Sequence, residues 1–316
     1  MYDTIIIGSG PAGMTAGIYA ARREMKALII GKELGGQLIW ASEVENYPGF
    51  KSVDNFDLIT KIKEQVNALG AEIKTDEIKE IKKVSDYFLV TTRKEKFEAK
   101  TVIVAIGLSP RRLAIPGEEE LTGKGVSYCA NCDGPIFRDK VVAIVGGGNS
   151  ALDATEVMSK IAAKVYLIHR REEFRGFEAL VDEVKTRDNV ELVLSSEIKE
   201  IIGKEKLEKI KVFNKKTNKE GELEIDGLFV EIGRLANTDL VKDLVKRDER
   251  NQILVDEKCK TNTEGIFAAG DVTQVPFKQI TIAQGQATIA ALAAYEYLQL
   301  KQGKKAVVAD RSKPKV

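Results

Sequence analysis

The sequence predicts an α/β protein of two similar three-layer domains, the second inserted into the first, and three observations predict it. An apolar run at residues 2–7 enters Gly8-Ser9-Gly10-Pro11-Ala12-Gly13, then a helix of small residues and a second apolar run at 26–30. The same order recurs at 141–145, Gly146-Gly147-Gly148-Asn149-Ser150-Ala151, a helix and 164–168. Each copy also ends on an apolar run into glycine, Val102–Gly107 and Leu228–Gly233, and a third such segment, Ile266–Asp271, lies near the C-terminus. Short apolar runs bounded by glycine read as strands buried on both faces, as in a parallel sheet. Strand, glycine turn, helix and strand, twice over, is the signature of two Rossmann-like (three-layer ββα) dinucleotide-binding domains.

Residues 1–114 and 247–316 are assigned to the first domain and 115–246 to the second, with polar crossings near Pro110–Gly117 and Lys242–Arg250. Stretches 78–83, 87–92 and 97–106 are expected as further strands of the first domain, and 207–213 and 223–231 of the second. The basic tail from Lys301 is expected to fray.

A length of 316 residues suits two domains, and 43% hydrophobic residues with 26 glycines is ordinary globular composition. A formal net charge of +1 supplies no field for nucleic acid, so none is expected as partner. No apolar run approaches the roughly 20 residues of a membrane span. The opening Met1-Tyr2-Asp3 runs straight into the first strand without a basic, apolar leader. A cytoplasmic location is therefore expected, where a close cysteine pair is more often catalytic than structural. The only histidine, His169, leaves Ser-His and Cys-His schemes without a base elsewhere in the chain.

The fingerprint Gly8-x-Gly10-x-x-Gly13 stands between strand and helix, where the physics requires it. Gly8 allows the tight turn, Gly10 lets the backbone approach a pyrophosphate, and Gly13 packs helix on sheet. The bland alternative is a tight turn with no ligand. The acid that usually binds ribose after the second strand is missing, because Gly31 stands there; Glu33, two residues on, is the candidate substitute.

In the second copy Gly146, Gly148 and Ala151 repeat the logic, with Asn149 and Ser150 between. Its second strand ends on His169-Arg170-Arg171, with Arg175 four residues after Arg171, and again carries no ribose acid. Guanidinium groups pair with phosphate through two parallel charged hydrogen bonds, so this cluster points to the 2′-phosphate of NADPH. The alternative is a solvated basic face.

Cys129-Ala130-Asn131-Cys132 is a C-x-x-C followed by Asp133. Such a pair is half a metal site or a redox couple. Only Cys259 and His169 remain as further Cys/His ligands, so the balance favours the redox couple and no metal is expected. Disulfide exchange needs an acid to protonate the leaving sulfur, and Asp133 is the adjacent candidate; its alternative is a turn residue in Asp133-Gly134-Pro135. Cys259, between Lys258 and Lys260, is read as exposed and incidental.

Taken together, Gly8–Gly13, Gly35-Gly36-Gln37-Leu38, Glu43–Gly49, Cys129–Gly134, Gly146–Ala151, His169–Arg175 and Gly270-Asp271 make the chain resemble the low-molecular-weight thioredoxin reductases over almost its whole length. That family also tolerates loss of the acid at the position of Gly31. The resemblance implies FAD in the first domain, on Gly8, Gly10, Pro11, Ala12, Gly13, Glu33, Gln37, Leu38, Asn46, Gly107 and Gly270, with Asp271 at the ribityl chain. Gln279, Ile280 and Thr281 would present backbone to the flavin pyrimidine. It also implies that NADPH reduces FAD, that FAD reduces the Cys129–Cys132 disulfide, that Cys132 faces the flavin and that Cys129 attacks the partner. The implied partner is thioredoxin or a thioredoxin-like protein, the implied assembly a homodimer, and the two domains would rotate about their linkers between half-reactions. A glutaredoxin-like or peroxidase-linked partner is the first rival. A ferredoxin- or flavodoxin-linked reductase is the second, against which the cysteine pair counts, and a non-catalytic redox sensor the third.

Overall fold

The computed structural model describes all residues except 41–42, 45 and 306–316, and gives backbone alone for 40, 43, 131 and 132. The part of the expected frayed tail from 306 onward, and Glu45 of the motif at 43–49, therefore lie outside the described residues. The helices are α1 (Pro11–Arg22), α2 (Asn55–Ala68), α3 (Ala130–Asp133), α4 (Asn149–Ser159), α5 (Glu178–Lys185) and α6 (Ile280–Lys301). No helix among the described residues is long and apolar enough to cross a membrane.

The chain divides into two compact units. Pro110–Arg234 forms the bulk of one; Met1–Ile39, Val44–Ser109 and the chain from Leu235 onward form the other. The two crossings run side by side, Ser109–Pro110 pairing with Arg234–Leu235 as a short two-stranded ladder. The second crossing thus comes earlier than the polar stretch 242–250 suggests. Val241 and Val245 explain the difference: both are buried in the first unit's core beside Ile5, Phe88 and Ile253.

In the first unit, parallel strands run in the order Glu72–Thr75, Ala27–Gly31, Tyr2–Ile7 and Lys96–Val104. The last of these is long enough to serve two neighbours. Its Val102–Val104 end pairs in parallel with Ile266–Ala268, while its Lys96–Ala99 end pairs antiparallel with Tyr87–Thr92. Ile78–Val84 then completes an antiparallel meander. The three strands expected here are thus present at 78–84, 87–92 and 96–104. Alternate residues of the central strands separate the layers, as pleating requires. Ile5, Ile7, Leu28 and Ile30 face the meander's Ile81, Phe88 and Val90.

The second unit repeats the plan. Its parallel sheet has the order Val126–Ser127, Gly227–Val230, Val141–Val145, Lys164–Ile168, Val190–Val193. An antiparallel meander of Ser196–Gly203, Leu207–Asn214 and Lys219–Glu224 covers one face through Ile198, Ile201, Ile210 and Val212. Helices α4 and α5 cover the other through Leu152, Met158 and Val184. The single strand expected over 223–231 is in fact two. Ile225 and Asp226 break it, so that one half joins the meander and the other enters the parallel sheet.

Cys259 corrects the sequence reading. It is 2% exposed, with its thiol against the Gln286 carbonyl at 3.4 Å, and burial pushes the thiol up to about 12. A left-handed backbone at Cys259 (φ +58°) turns the side chain inward while Lys258 pairs outward with Glu296. Polar sequence neighbours concealed an inert core thiol.

Candidate functional site

In the first unit the strand Tyr2–Ile7 ends at Gly8, whose φ of +111° lies in the left-handed region. A Cβ there would meet the Ala105 carbonyl oxygen at 2.3 Å, so the turn admits only glycine. At Gly13 a Cβ would lie 1.8 Å from the Gly8 carbonyl oxygen, which brings α1 hard against the strand end. Gly10 caps α1 and Pro11 opens it, and no side chain satisfies the first amides. By contrast α2, which faces no fingerprint turn, is capped conventionally: the Asp54 carboxylate accepts from the Phe56 and Asp57 amides. The uncapped start of α1 presents donors and a positive dipole end to an anion.

The missing acid has a steric cause. A Cβ at Gly31 would lie 2.1 Å from the Ser9 Oγ and 2.8 Å from its amide nitrogen. Ser9 donates to the Glu33 carbonyl at 2.7 Å, and the Gly35 amide donates to the Ser9 carbonyl at 2.9 Å. The fingerprint turn and the segment 31–35 thus close on each other where a ribose acid would stand. The Glu33 side chain is exposed.

The remaining first-unit candidates gather around the segment 270–286. Gln37 Nε2 donates to Asp271 Oδ2 at 3.3 Å, and Gly107 passes 3.5 Å from the same Nε2 as measured at a built Cβ. Leu38 is buried beside them in sequence. Asn46 donates to the Gln279 side-chain oxygen at 3.1 Å. Ile280 and Thr281 open α6, which carries no side-chain cap. Two residues unmarked by the sequence stabilise this turn. Gln286 Oε1 accepts from the Gly270 amide at 2.9 Å and the Thr273 hydroxyl at 3.0 Å. Lys278 Nζ donates to the Asp271 and Thr273 carbonyls, and burial pulls its pKa down, against the nearby Asp271 and Asp248 charges. The donor-rich α1 start, the glycine cradle and the Asp271 turn fit a dinucleotide with a polyol linker.

In the second unit Gly146, Gly148, Asn149, Ser150 and Ala151 form the turn and first residues of α4, again without a side-chain cap. His169 lies beneath this turn. A Cβ at Gly147 would meet its ring at 2.1 Å, the ring stacks on Phe174 at 5.4 Å, and its Nε2 contacts the Glu173 carbonyl at 3.1 Å. Burial pulls the His169 pKa down, and the Arg171, Arg170 and Arg175 charges act in the same direction. A buried neutral imidazole supports the turn more readily than it binds phosphate. Arg170, Arg171 and Arg175 are exposed, and the Arg175 amide donates to the Gly147 carbonyl at 2.7 Å, which brings the arginine segment back to the glycine turn. Glu172 between them pairs with Lys216 instead. This is a cation cluster suited to a phosphomonoester beside a helix start.

Cys129 is disulfide-bonded and precedes α3, while the side chain of Cys132 lies outside the described residues. The Cys129 amide donates to the Ser127 hydroxyl at 3.1 Å, and that hydroxyl donates to Asp133 Oδ2 at 2.6 Å. Burial pushes the Asp133 carboxyl up, and the Ser127 bond, which favours the charged form, opposes it. An acid with a raised pKa held by a relay from the cysteine turn can deliver a proton to a leaving sulfur. Ser127 was not legible in the sequence, since five residues and a strand end separate it from Asp133. No cluster of three metal-ligating side chains occurs among the described residues.

Similarity to known proteins extends over almost the whole chain. A model of the pyridine nucleotide-disulphide oxidoreductase family matches residues 2–287. The crystal structure of a thioredoxin reductase from Streptococcus pyogenes is 40% identical, covers 95% of this chain and 99% of its own, and superposes with a TM-score of 0.80. A thioredoxin reductase of Listeria innocua is 38% identical over 95% of this chain and 94% of its own. A 34.2 kDa protein in the rubredoxin operon of Clostridium pasteurianum is 39% identical over 94% and 97%.

Two outcomes follow from these contacts. Gly31→Asp, which supplies the missing ribose acid, should destabilise the first unit by about 1–3 kcal/mol through overpacking and weaken flavin retention; urea denaturation and the flavin-to-protein absorbance ratio read both, and a variant as stable and as yellow as the parent would refute the clash. Ser127→Ala removes the bond that favours the charged Asp133, so the limb of the pH–rate profile for disulfide turnover that reports Asp133 should move to higher pH; an unmoved limb would detach Asp133 from the chemistry.

Proposed function

Since the chain belongs to the pyridine nucleotide-disulphide oxidoreductase family, and within it to the thioredoxin reductases, we propose that it uses NADPH and FAD to reduce the disulfide of thioredoxin or a thioredoxin-like protein through Cys129 and Cys132. The observation that carries this reading is the disulfide-bonded Cys129 on the Ser127–Asp133 relay. In the first unit the amides after Gly10 and the Gly8–Gly13 cradle would hold the FAD pyrophosphate, Asp271 and Gln37 its ribityl chain, and the start of α6 its pyrimidine. In the second, the Gly146–Ala151 turn would hold the NADPH pyrophosphate and Arg170, Arg171 and Arg175 its 2′-phosphate. Bound there, FAD supplies a two-electron carrier between nicotinamide and disulfide.

The chain's own groups then divide the work. Asp133, whose pKa burial raises, gives a proton to the sulfur released when the pair opens and regains one from solvent. Ser127 holds that carboxyl in place. Cys129, part-exposed before a short helix, attacks the disulfide of the partner protein, and Cys132 closes the mixed disulfide and regenerates the pair. The cytoplasmic location and the homodimer belong to the same reading. A glutaredoxin-like or peroxidase-linked partner differs only in the protein that Cys129 attacks, and turnover with a panel of purified disulfide proteins separates them.

Replacing Cys132 with Ser should leave NADPH able to bleach the flavin while thioredoxin reduction falls to background; full turnover by this variant would remove the pair from the scheme. Replacing Arg170 and Arg171 together should raise KM for NADPH about ten-fold or more per lost contact, at about 1.5–3 kcal/mol for a hydrogen bond to a charged group, and leave KM for NADH unchanged. An equal rise for both nucleotides would place the 2′-phosphate elsewhere.

A further inference from the structure

The register of the second unit places one more carboxyl at the redox centre. Ser127 pairs with Phe229 on the adjacent parallel strand, so Cys129 and Glu231 each stand two residues beyond a paired position, at the same edge of the sheet. Val145 pairs with Val230 on the other side, and the Glu231 amide donates to the Val145 carbonyl at 2.9 Å. The Glu231 carbonyl oxygen lies 2.3 Å from the position of a Cβ built at Gly146. Glu231 therefore sits between the cysteine turn and the glycine turn, with its carboxylate acted on by the Ala130 amide, the one that follows Cys129.

We propose that Glu231 is a positioning residue of the redox centre: its charged carboxylate draws on the Ala130 amide and disfavours a neighbouring cysteine thiolate, whereas its neutral form leaves that amide and the local potential to the sulfur. The inference rests on the redox reading of Cys129 and Cys132. The equilibrium it governs is simple: a thiol loses its proton to water, and the negative sulfur is costlier beside a second negative charge.

The charges around Glu231 are few. Arg234 on its own segment favours the charged form and Asp153 from α4 opposes it, while Asp133 is the titratable carboxyl of α3. Burial outweighs the Arg234 and Ala130 contributions and pushes the carboxyl up to about 7. Its charge thus changes across the pH range in which a disulfide reductase works. Nothing in the residue pattern marks it, since glutamate there reads as the polar end of a strand.

The test uses the flavin-loaded protein, reduced with a chemical dithiol that is then removed, and needs neither NADPH nor thioredoxin. Iodoacetamide labelling of Cys129 is followed by mass spectrometry in the parent and in Glu231→Gln. The rate ratio of variant to parent should be several-fold at pH 8, where the parent carboxyl is charged, and near one at pH 6, where it is neutral. A merely structural effect of the substitution would give the same ratio at both, and that result overturns the proposal. The pH dependence of the ratio should persist in an Asp133→Asn background; its loss there would assign the effect to Asp133 and overturn the proposal as well. Should Glu231→Gln not fold, Glu231→Ala is read by the same ratios to parent, and equal ratios at pH 6 and pH 8 are again the contrary result. Failure of the chemical dithiol to open the Cys129 disulfide at all would instead defeat the proposed function.

Discussion

Helix starts left without a side-chain cap at the two fingerprint turns are the constraint on which the rest of this structure depends. Helices α1, α4 and α6 all begin without a side-chain cap, as do the shorter α3 and α5, whereas α2 is capped by Asp54. Leaving donors unpaired at a helix start is unfavourable unless water or an anion completes them. In both units the fingerprint turn adds a second condition: the helix must approach its strand so closely that a methyl group would collide with backbone at Gly8, Gly13 and Gly146. The two conditions together force strand, turn and helix into one geometry and leave a positively polarised concavity at the carboxyl ends of the strands.

The chemistry is distributed between the units in a definite way. The residues suited to FAD belong to the first, while the arginine segment, the cysteine pair, Ser127, Asp133 and Glu231 all belong to the second. Within the second unit, strand order decides which groups meet. Gly227–Val230 lies between Val126–Ser127 and Val141–Val145, so the strand end bearing Glu231 is flanked by the turn bearing Cys129 on one side and by the glycine turn on the other. The cysteine turn and the glycine turn lie close together in the sequence, while Glu231 comes 102 positions after Cys129; the parallel sheet makes all three neighbours.

Much of this was legible beforehand because the signals are local. Glycine spacing, apolar runs and the C-x-x-C are each contained within a dozen residues, and the glycine turns, helices and most strands stand where those signals put them. What escaped depends on contacts distant in sequence. The break at Ile225-Asp226 arises because two different sheets compete for one apolar stretch. Cys259 looked exposed among lysines, yet a single left-handed residue turns it into the core. The absence of an acid at Gly31 was visible, but its cause, the Ser9 hydroxyl occupying that volume, was not. His169, read with the arginines as a nucleotide contact, has its ring committed to Gly147 and Phe174.

The paired crossings at Ser109–Pro110 and Arg234–Leu235 bear on engineering. Adjacent strands lie about 4.8 Å apart, so the inserted segment departs and returns at nearly one point. A segment inserted at such a point asks little of its host, because the host chain resumes beside the place where it left off. The same economy makes the insert a natural cassette, removable or exchangeable by joining two ends that already touch.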